Sequence, residues 1–327
     1  MKTVLVAGGA GFIGSHLCER LIREEKQVIC IDNLVTGNLR NIEPLLDAPG
    51  FRLVEHDVVK PLPSLPEVEA IFHLASPASP IAYQRYPIET LVAGSDGTHQ
   101  LLKLAARNEA RFLFASTSEV YGDPLEHPQH EDYWGNVNPN GPRSMYDEAK
   151  RFGEALTMTY RRARGVDTRI VRIFNTYGPR MEQDDGRVIS NFITQALRNE
   201  PLTVYGDGSQ TRSFQYIDDL VDGLVRAMAT TWDGAINLGN PDEYTVIELA
   251  QLVRDATGLQ SRIDFRPLPT DDPKQRCPDI SRAKRLLDWE PKVPILDGLA
   301  RTVAYFRDIM PHVASAPGWS RVSRSHV

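Results

Sequence analysis

The chain has 327 residues, 41% hydrophobic and 24% charged, which is enough apolar material for one large or two modest domains and excludes global disorder. Its formal net charge of -6 and the lack of a long basic block argue against nucleic acid as a main partner, since phosphate binding needs clustered Lys and Arg. Cys18, Cys30 and Cys277 lie far apart without metal-type spacing. With no room for a signal peptide before the first apolar run and no apolar run near the roughly 18 residues of a membrane span, they read as free thiols of a cytoplasmic, metal-free protein.

Residues 3–7 are a short β-branched, apolar run, as in a buried parallel strand. Gly8, Gly11 and Gly14 follow, with Phe12 and Ile13 inside the motif and a helical pattern over 15–23. The G-x-x-G-x-x-G spacing serves a tight turn, close backbone approach to a pyrophosphate and close packing of helix on strand. A second strand, 27–31, ends at Asp32-Asn33. A carboxylate about twenty residues beyond the glycines accepts from an adenosine ribose hydroxyl and repels a 2'-phosphate, so the pattern predicts NAD rather than NADP. The turn after it, through Thr36 and Gly37, is assigned to the same cofactor.

The βα alternation continues with strands at 51–55 and 70–75. Asp57, ahead of Val58, either reaches the adenine amino group or is a plain turn carboxylate. His73, inside an apolar strand, reads as a satisfied core histidine. The loop from Leu74 through Ser76 to Pro80 is expected over the cofactor phosphates and ribose. Residues 90–108 predict a long helix with an early glycine, and 111–115 the next strand, which delivers Thr117, Ser118 and Glu119. In an open α/β sheet, ligands sit beyond the carboxyl ends of the strands, so these three are placed near the nicotinamide.

Tyr146 and Lys150 stand four residues apart, one turn of a helix. An ammonium there favours the phenolate, and a phenol tuned from about 10 towards neutrality takes a proton from a sugar hydroxyl and returns it.

Further strands are predicted at 168–174, 202–205 and 261–265, with helices at 191–197 and 219–228. Residues 214–217 are expected to return the chain to the main sheet. Arg187 reads as a phosphate or carboxylate partner or as a solvated loop arginine. Ser190 and Asn191 open a helix whose amides favour anions. Arg212, on the glycine turn 206–212, is a candidate diphosphate ligand. Residues 286–291 read as a helix end, a buried Trp289 and a turn, and 313–327 as a frayed tail.

With Gly8-x-x-Gly11-x-x-Gly14, the Ser116-Thr117 strand end and Tyr146-x-x-x-Lys150 assembled, the chain resembles the extended short-chain dehydrogenase/reductase superfamily. Within it the chain is most similar to the UDP-glucuronate decarboxylases, through 73–80, 116–124, 131–135, 172–181, 185–192, 208–216 and 237–241. The resemblance spans roughly residues 1–308. It implies a doubly wound parallel α/β (Rossmann) sheet with a smaller, interleaved C-terminal domain: 1–179 and 213–238 for NAD, 180–212 and 239–312 for the nucleotide sugar. Ser118-Glu119 fits the decarboxylases, whereas the related dTDP-glucose 4,6-dehydratases carry Asp-Glu there and the 4-epimerases generally lack the glutamate.

The resemblance also implies roles. Thr117 and Tyr146 hold the sugar C4 oxygen, with Lys150 behind the tyrosine. Glu119 and Ser118 flank the C6 carboxylate, and Arg276 orients the substrate or supplies a proton. Thr176 joins the cofactor residues. Pro80, Asn175, Arg187, Ser190, Asn191, Phe192, Tyr205, Gln210 and Arg212 join Glu119 and Arg276 around UDP-glucuronate. A homodimer is implied, pairing helices near 97–107 and 146–161. One stretch departs from the pattern: related decarboxylases carry Lys and Asn where this chain has Val92 and Gly94. The rival readings are release of the 4-keto pentose, a 4-epimerase or 4,6-dehydratase on another nucleotide sugar, and an NAD-binding regulator.

Overall fold

The computed structural model describes residues 2–267 and 275–310. The polar stretch 271–274 and the tail 313–327 lie outside the described residues.

Strand β1 (Thr3–Ala7) runs into helix α1 (Phe12–Arg23), then β2 (Gln27–Asp32), β3 (Phe51–Glu55) and β4 (Ala70–His73). Helices α2 (Pro80–Arg85), α3 (Pro87–Val92) and α4 (Thr98–Asn108) lead to β5 (Arg111–Thr117), and α5 (Ser144–Arg164) to β6 (Thr168–Ile173). The second half holds β7 (Thr176–Tyr177), α6 (Val188–Leu197), β8 (Leu202–Tyr205), β9 (Thr211–Ser213), β10 (Gln215–Tyr216), α7 (Ile217–Ala229) and β11 (Ala235–Leu238). It closes with β12 (Glu243–Thr245), α8 (Val246–Thr257), β13 (Ile263–Arg266), β14 (Gln275–Arg276), α9 (Ser281–Leu287) and α10 (Ile295–Ile309).

Seven strands form one parallel sheet in the order β11-β6-β5-β4-β1-β2-β3. The near-continuous apolar runs follow from burial on both faces. Helices α1 and α7 cover one face, α4 and α5 the other. The order reverses between β1 and β4, and there the strand ends part to leave the crevice where such sheets bind ligands. Smaller sheets, β12-β9-β14 and β13-β8, stand beyond it.

Three elements differ from the sequence reading. Residues 90–108 are not one helix: α3 ends at Val92, a π-turn spans Ala93–Gly97, and α4 begins at Thr98. A π-turn widens the ladder locally. Here it sits where Gly94 lies directly on α5: a Cβ at Gly94 would stand 2.7 Å from the Ala149 Cβ and 2.8 Å from its carbonyl oxygen. Residues 214–217 do not rejoin the main sheet; Gln215 and Tyr216 pair with Thr176 and Tyr177 in a separate two-stranded ribbon. The seventh strand is β11, which pairs in parallel with β6. Trp289 is buried as expected, its indole N–H donating to the Asp219 carbonyl at 2.9 Å.

Helix α5 is the best-clamped element near the crevice. A Cβ at Gly153 would fall 2.2 Å from the Phe114 ring, so the bare glycine lets α5 lie flat on β5. With Gly94 pressed on the other flank, α5 is held between sheet and π-turn, which fixes where its first turn points.

Candidate active site

The ends of β1, β2 and β4 shape the glycine cradle. Gly8 has φ +81, and a Cβ there would meet the Leu74 and Ala75 backbone at 2.7 Å. Only glycine tolerates both the left-handed backbone and that approach. A Cβ on Gly14 would lie 2.1 Å from the Gly8 carbonyl oxygen. Gly11 stands at the N-cap of α1 with no side chain to cap it, so the first-turn amides, among them those of Phe12 and Ile13, face outward toward an anion. Asp32 accepts from the Ala10 and Leu34 amides, each at 2.9 Å, which fixes its carboxylate and leaves lone pairs for a ribose hydroxyl. Gly37 closes over it: a Cβ there would touch the Asp32 carboxylate at 2.6 Å. These features fit a dinucleotide.

The other cofactor candidates ring this cradle unevenly. Asn33 and Thr36 are exposed on the turn after β2. Asp57 Oδ1 accepts from the Val59 amide at 3.1 Å, so it caps its own turn, and Val58 is buried beneath Gly97. Leu74 donates its amide to the Ala7 carbonyl, Ser76 donates to the Pro77 carbonyl, and Thr176 is buried against Phe174 and Gln215. His73 is a core histidine, with Nε2 3.0 Å from Thr98 Oγ1 and burial pushing it down to about 3.

The carboxyl end of β5 meets the first turn of α5. Tyr146 is 7% exposed, hydrogen-bonded to Thr117 and stacked on Tyr83 with ring centroids 5.0 Å apart. Lys150 donates to the Ala115 carbonyl at 2.8 Å and lies 5.7 Å from the Tyr146 ring; burial pushes it down to about 8. The phenol itself is pushed well up by burial, with Thr117 lowering it and Glu119, Tyr83 and Asp147 raising it further. The sequence spacing predicts a phenol drawn toward neutrality. The surrounding protein does the reverse, chiefly because the ring is buried, with Glu119, Tyr83 and Asp147 adding to it.

Glu119 sits among three arginines. Burial alone would raise its carboxyl, but Arg276, Arg143 and Arg212 outweigh that and hold it below the usual range. Arg143 pairs directly with Glu119 Oε2, and Arg276 Nη1 stands 3.4 Å from Oε1. Arg276, 2% exposed, also donates to the Ser118 and Gly122 carbonyls, while its Nε has no partner. Arg276 and Arg212 are register partners on β14 and β9, so two strands of the small sheet present both guanidiniums to the end of β5. Ser118 is buried, and Thr117 Oγ1 accepts from the Glu119 amide at 3.3 Å.

The remaining candidates separate into two groups. Arg187 pairs with Asp185 and stands 5.5 Å over the Phe12 ring, so it lies beside the glycine cradle. Ser190 is buried and donates to the same aspartate at 2.6 Å. Asn175 and Asn191 are half-buried, whereas the Phe192 side chain belongs to the core and offers only backbone. Tyr205 is 44% exposed on β8, its carbonyl accepting from Gln210 at 2.6 Å. Pro80 starts α2, whose Tyr83 covers Tyr146. Sequence reasoning missed Tyr83, Arg143, Asp147 and Asp185. Arg143 and Asp147 flank the Tyr146 stretch directly, and that adjacency was the available signal; Tyr83 carried none.

Residues 4–239 match the model of the NAD dependent epimerase/dehydratase family. The chain belongs to that family. NAD is its cofactor, and the glycine cradle and Asp32 have the form to hold it. The chain is similar to UDP-glucuronic acid decarboxylase 1 of Arabidopsis thaliana, 55% identical over 93% of this chain and 70% of the plant protein. It is 52% identical to UDP-glucuronic acid decarboxylase 1 of Danio rerio, over 96% of this chain and 75% of the fish protein. Among solved structures it resembles the Bacillus cereus UDP-glucuronic acid 4-epimerase in complex with UDP-glucuronic acid and NAD, with TM-score 0.84, 29% identity, and 94% and 100% of the two chains covered. It also resembles the Thermotoga maritima UDP-glucose 4-epimerase with UDP-glucose, with TM-score 0.85, 30% identity, and 94% and 99% covered.

Proposed function

We propose that this enzyme converts UDP-glucuronate to UDP-xylose and CO2 through a 4-keto intermediate, with NAD recycled in place. The observation that carries the reading is the Ser118-Glu119 pair clasped by Arg143 and Arg276 beside Thr117 and Tyr146. NAD supplies an acceptor for the C4 hydride and its later return. Tyr146 takes the C4 hydroxyl proton, and Thr117 holds the oxygen. Lys150, one helical turn along and 5.7 Å from the Tyr146 ring, is the positive group placed to favour the phenolate. The C4 ketone makes the C6 carboxylate a β-keto acid, so CO2 leaves and an enolate forms at C4–C5. Arg276 stabilises that oxyanion in a dry site, where a fixed positive charge is strongest. Glu119 and Ser118 flank the leaving carboxylate and assist reprotonation at C5.

Residues 1–179 and 213–238 form the cofactor part, and 180–212 with 239–312 the sugar-nucleotide part. Arg212, Arg187, Asn175 and the amides that open α6 serve the diphosphate. Tyr205 and Gln210 serve the uracil. The similarity to proteins named UDP-glucuronic acid decarboxylase supports this assignment. We place the protein in the cytoplasm, which suits its three free thiols; no described helix is long and apolar enough to cross a membrane. A homodimer through α4 and α5 is favoured by Phe152, 51% exposed on α5.

The deciding experiment is incubation with UDP-glucuronate and NAD+, following CO2 and identifying the sugar by NMR. UDP-xylose without accumulated NADH is expected. A 4-keto pentose with stoichiometric NADH would remove the return step from the mechanism, and no CO2 at all would overturn the decarboxylase assignment.

A further inference from the structure

Outside the chemistry just described, one cluster of side chains has no role assigned. His127, Glu243 and Cys277 come from three separate segments, and their ligand atoms all lie within 4.8 Å of one another. His127 Nε2 is 2.9 Å from Glu243 Oε2. The Cys277 thiol, on a residue only 5% exposed, donates to the Pro241 carbonyl at 3.4 Å.

The three segments are fixed relative to one another by backbone. Gln129, two residues after His127, donates its amide to the Cys277 carbonyl at 2.8 Å, and its side-chain oxygen accepts from the Cys277 amide at 3.0 Å. Strand β12, which begins at Glu243, pairs with β9, and β9 pairs with β14, which ends one residue before Cys277. Glu243 is also oriented from behind: Thr211 Oγ1 donates to its Oε1 at 2.6 Å, which leaves Oε2 turned to the imidazole. A carboxylate steered by a hydroxyl is the outer support that metal ligands usually have.

We propose that His127, Glu243 and Cys277 form a binding site for a zinc-class divalent cation on the outer end of the small sheet. One imidazole, one carboxylate and one thiolate are the donor set that selects Zn2+ over Mg2+ or Ca2+. Tetrahedral coordination at Zn–N and Zn–O of about 2.0 Å and Zn–S of about 2.3 Å puts ligand atoms roughly 3.3–3.6 Å apart. The 2.9 Å His127–Glu243 pair has to open slightly, and no other pair exceeds 4.8 Å, changes within reach of side-chain adjustment. His127 and Glu243 are part-exposed, so an ion has a route in, and three protein ligands leave a fourth position for water. Binding displaces the Cys277 thiol proton to solvent, so one proton is released per ion bound. Cys277 directly follows Arg276, and an ion joining 127, 243 and 277 would brace the strand that carries that arginine to Glu119.

The test is titration of chelator-treated full-length protein with Co2+, followed by competition with Zn2+. The expected result is one Co2+ per chain with a thiolate-to-cobalt charge-transfer band in the near ultraviolet, lost on adding Zn2+. Cys277→Ser should lose the band, and His127→Ala should weaken binding at least tenfold. Cys18 and Cys30 are fully buried and should not substitute. Zn2+ should also raise the Tm of the wild type and leave that of His127→Ala unchanged, a readout that holds even where the cysteine variant folds poorly. Absence of the thiolate band in the wild type, or its persistence in a folded Cys277→Ser variant, would overturn the site.

Discussion

Asp147 has a titration the mechanism does not require. It is 7% exposed, its Oδ1 has no partner, and it stands within the field of Glu119. Burial, then Glu119, push its carboxyl up to about 7, against the pull of Arg143 and Arg276. The sign of the effect follows from comparison with the unfolded chain, where an aspartate titrates near 3.9. Below both values the group is protonated in either state and costs nothing. As pH rises from about 4 to 7 the unfolded chain releases the proton first, so the native state loses stability, by up to about 4 kcal/mol at the top of the window. Asp147→Asn removes that loss. Its Tm relative to wild type should climb between pH 4 and pH 7 and then level off, measured by calorimetry across that range. A constant offset at all pH values would mean that Asp147 is ionised throughout. The residues of the site were unequally legible. Glycines, Tyr146 and Lys150 announce themselves by spacing, because helix and turn geometry is local. Asp147 and Arg143 sit beside that motif and look like ordinary helix-start residues; what sets them apart is Glu119, brought over by the fold.

At the scale of elements, Gly94 lies directly against Ala149, with no room for a side chain. The π-turn and α5 touch backbone to backbone there, directly between Tyr146 and Lys150 on the helix. A methyl at Gly94 would need α5 or the π-turn to move. Gly94→Ala should therefore destabilise the protein by about 1–3 kcal/mol. It should also lower kcat more than it raises KM, since the shift falls on the helix that carries Tyr146 and Lys150. Unchanged Tm and kcat would mean that the contact yields freely. The sequence predicted one helix here and missed the break. Helix propensity reads residues 90–108 as continuous, and only a neighbour pressed against the glycine reveals why the ladder widens. The glycine cradle was read correctly for the opposite reason: its strand, turn and helix are contiguous, and the constraint lies within the segment itself.

At the scale of the molecule, the parallel sheet and its crevice followed from alternating apolar runs and a glycine turn. The sheet β12-β9-β14 did not. Strands β9, β12 and β14 are two or three residues long and pair across long stretches of chain, so no local period marks them. Association is the other property that only the whole surface carries. Phe152 on α5 is exposed, and in the proposed homodimer it is buried. Phe152→Glu should convert the dimer to a monomer by light scattering while leaving the fold intact. A wild type that is itself monomeric would remove the dimer from the account.

The pairing of Arg276 with Glu119 also sets an order of events during synthesis. The glycine turn has all its neighbours once β4 and Ala75 have formed, but the guanidinium that pairs with Glu119 arrives 157 residues after it. A growing chain passes through a long interval in which the glycine turn is present and Arg276, the partner of Glu119, is not. The glycine turn is thus built well before the charged cluster around Glu119 is complete. In the proposed mechanism this ties chemical competence to near-completion of the chain.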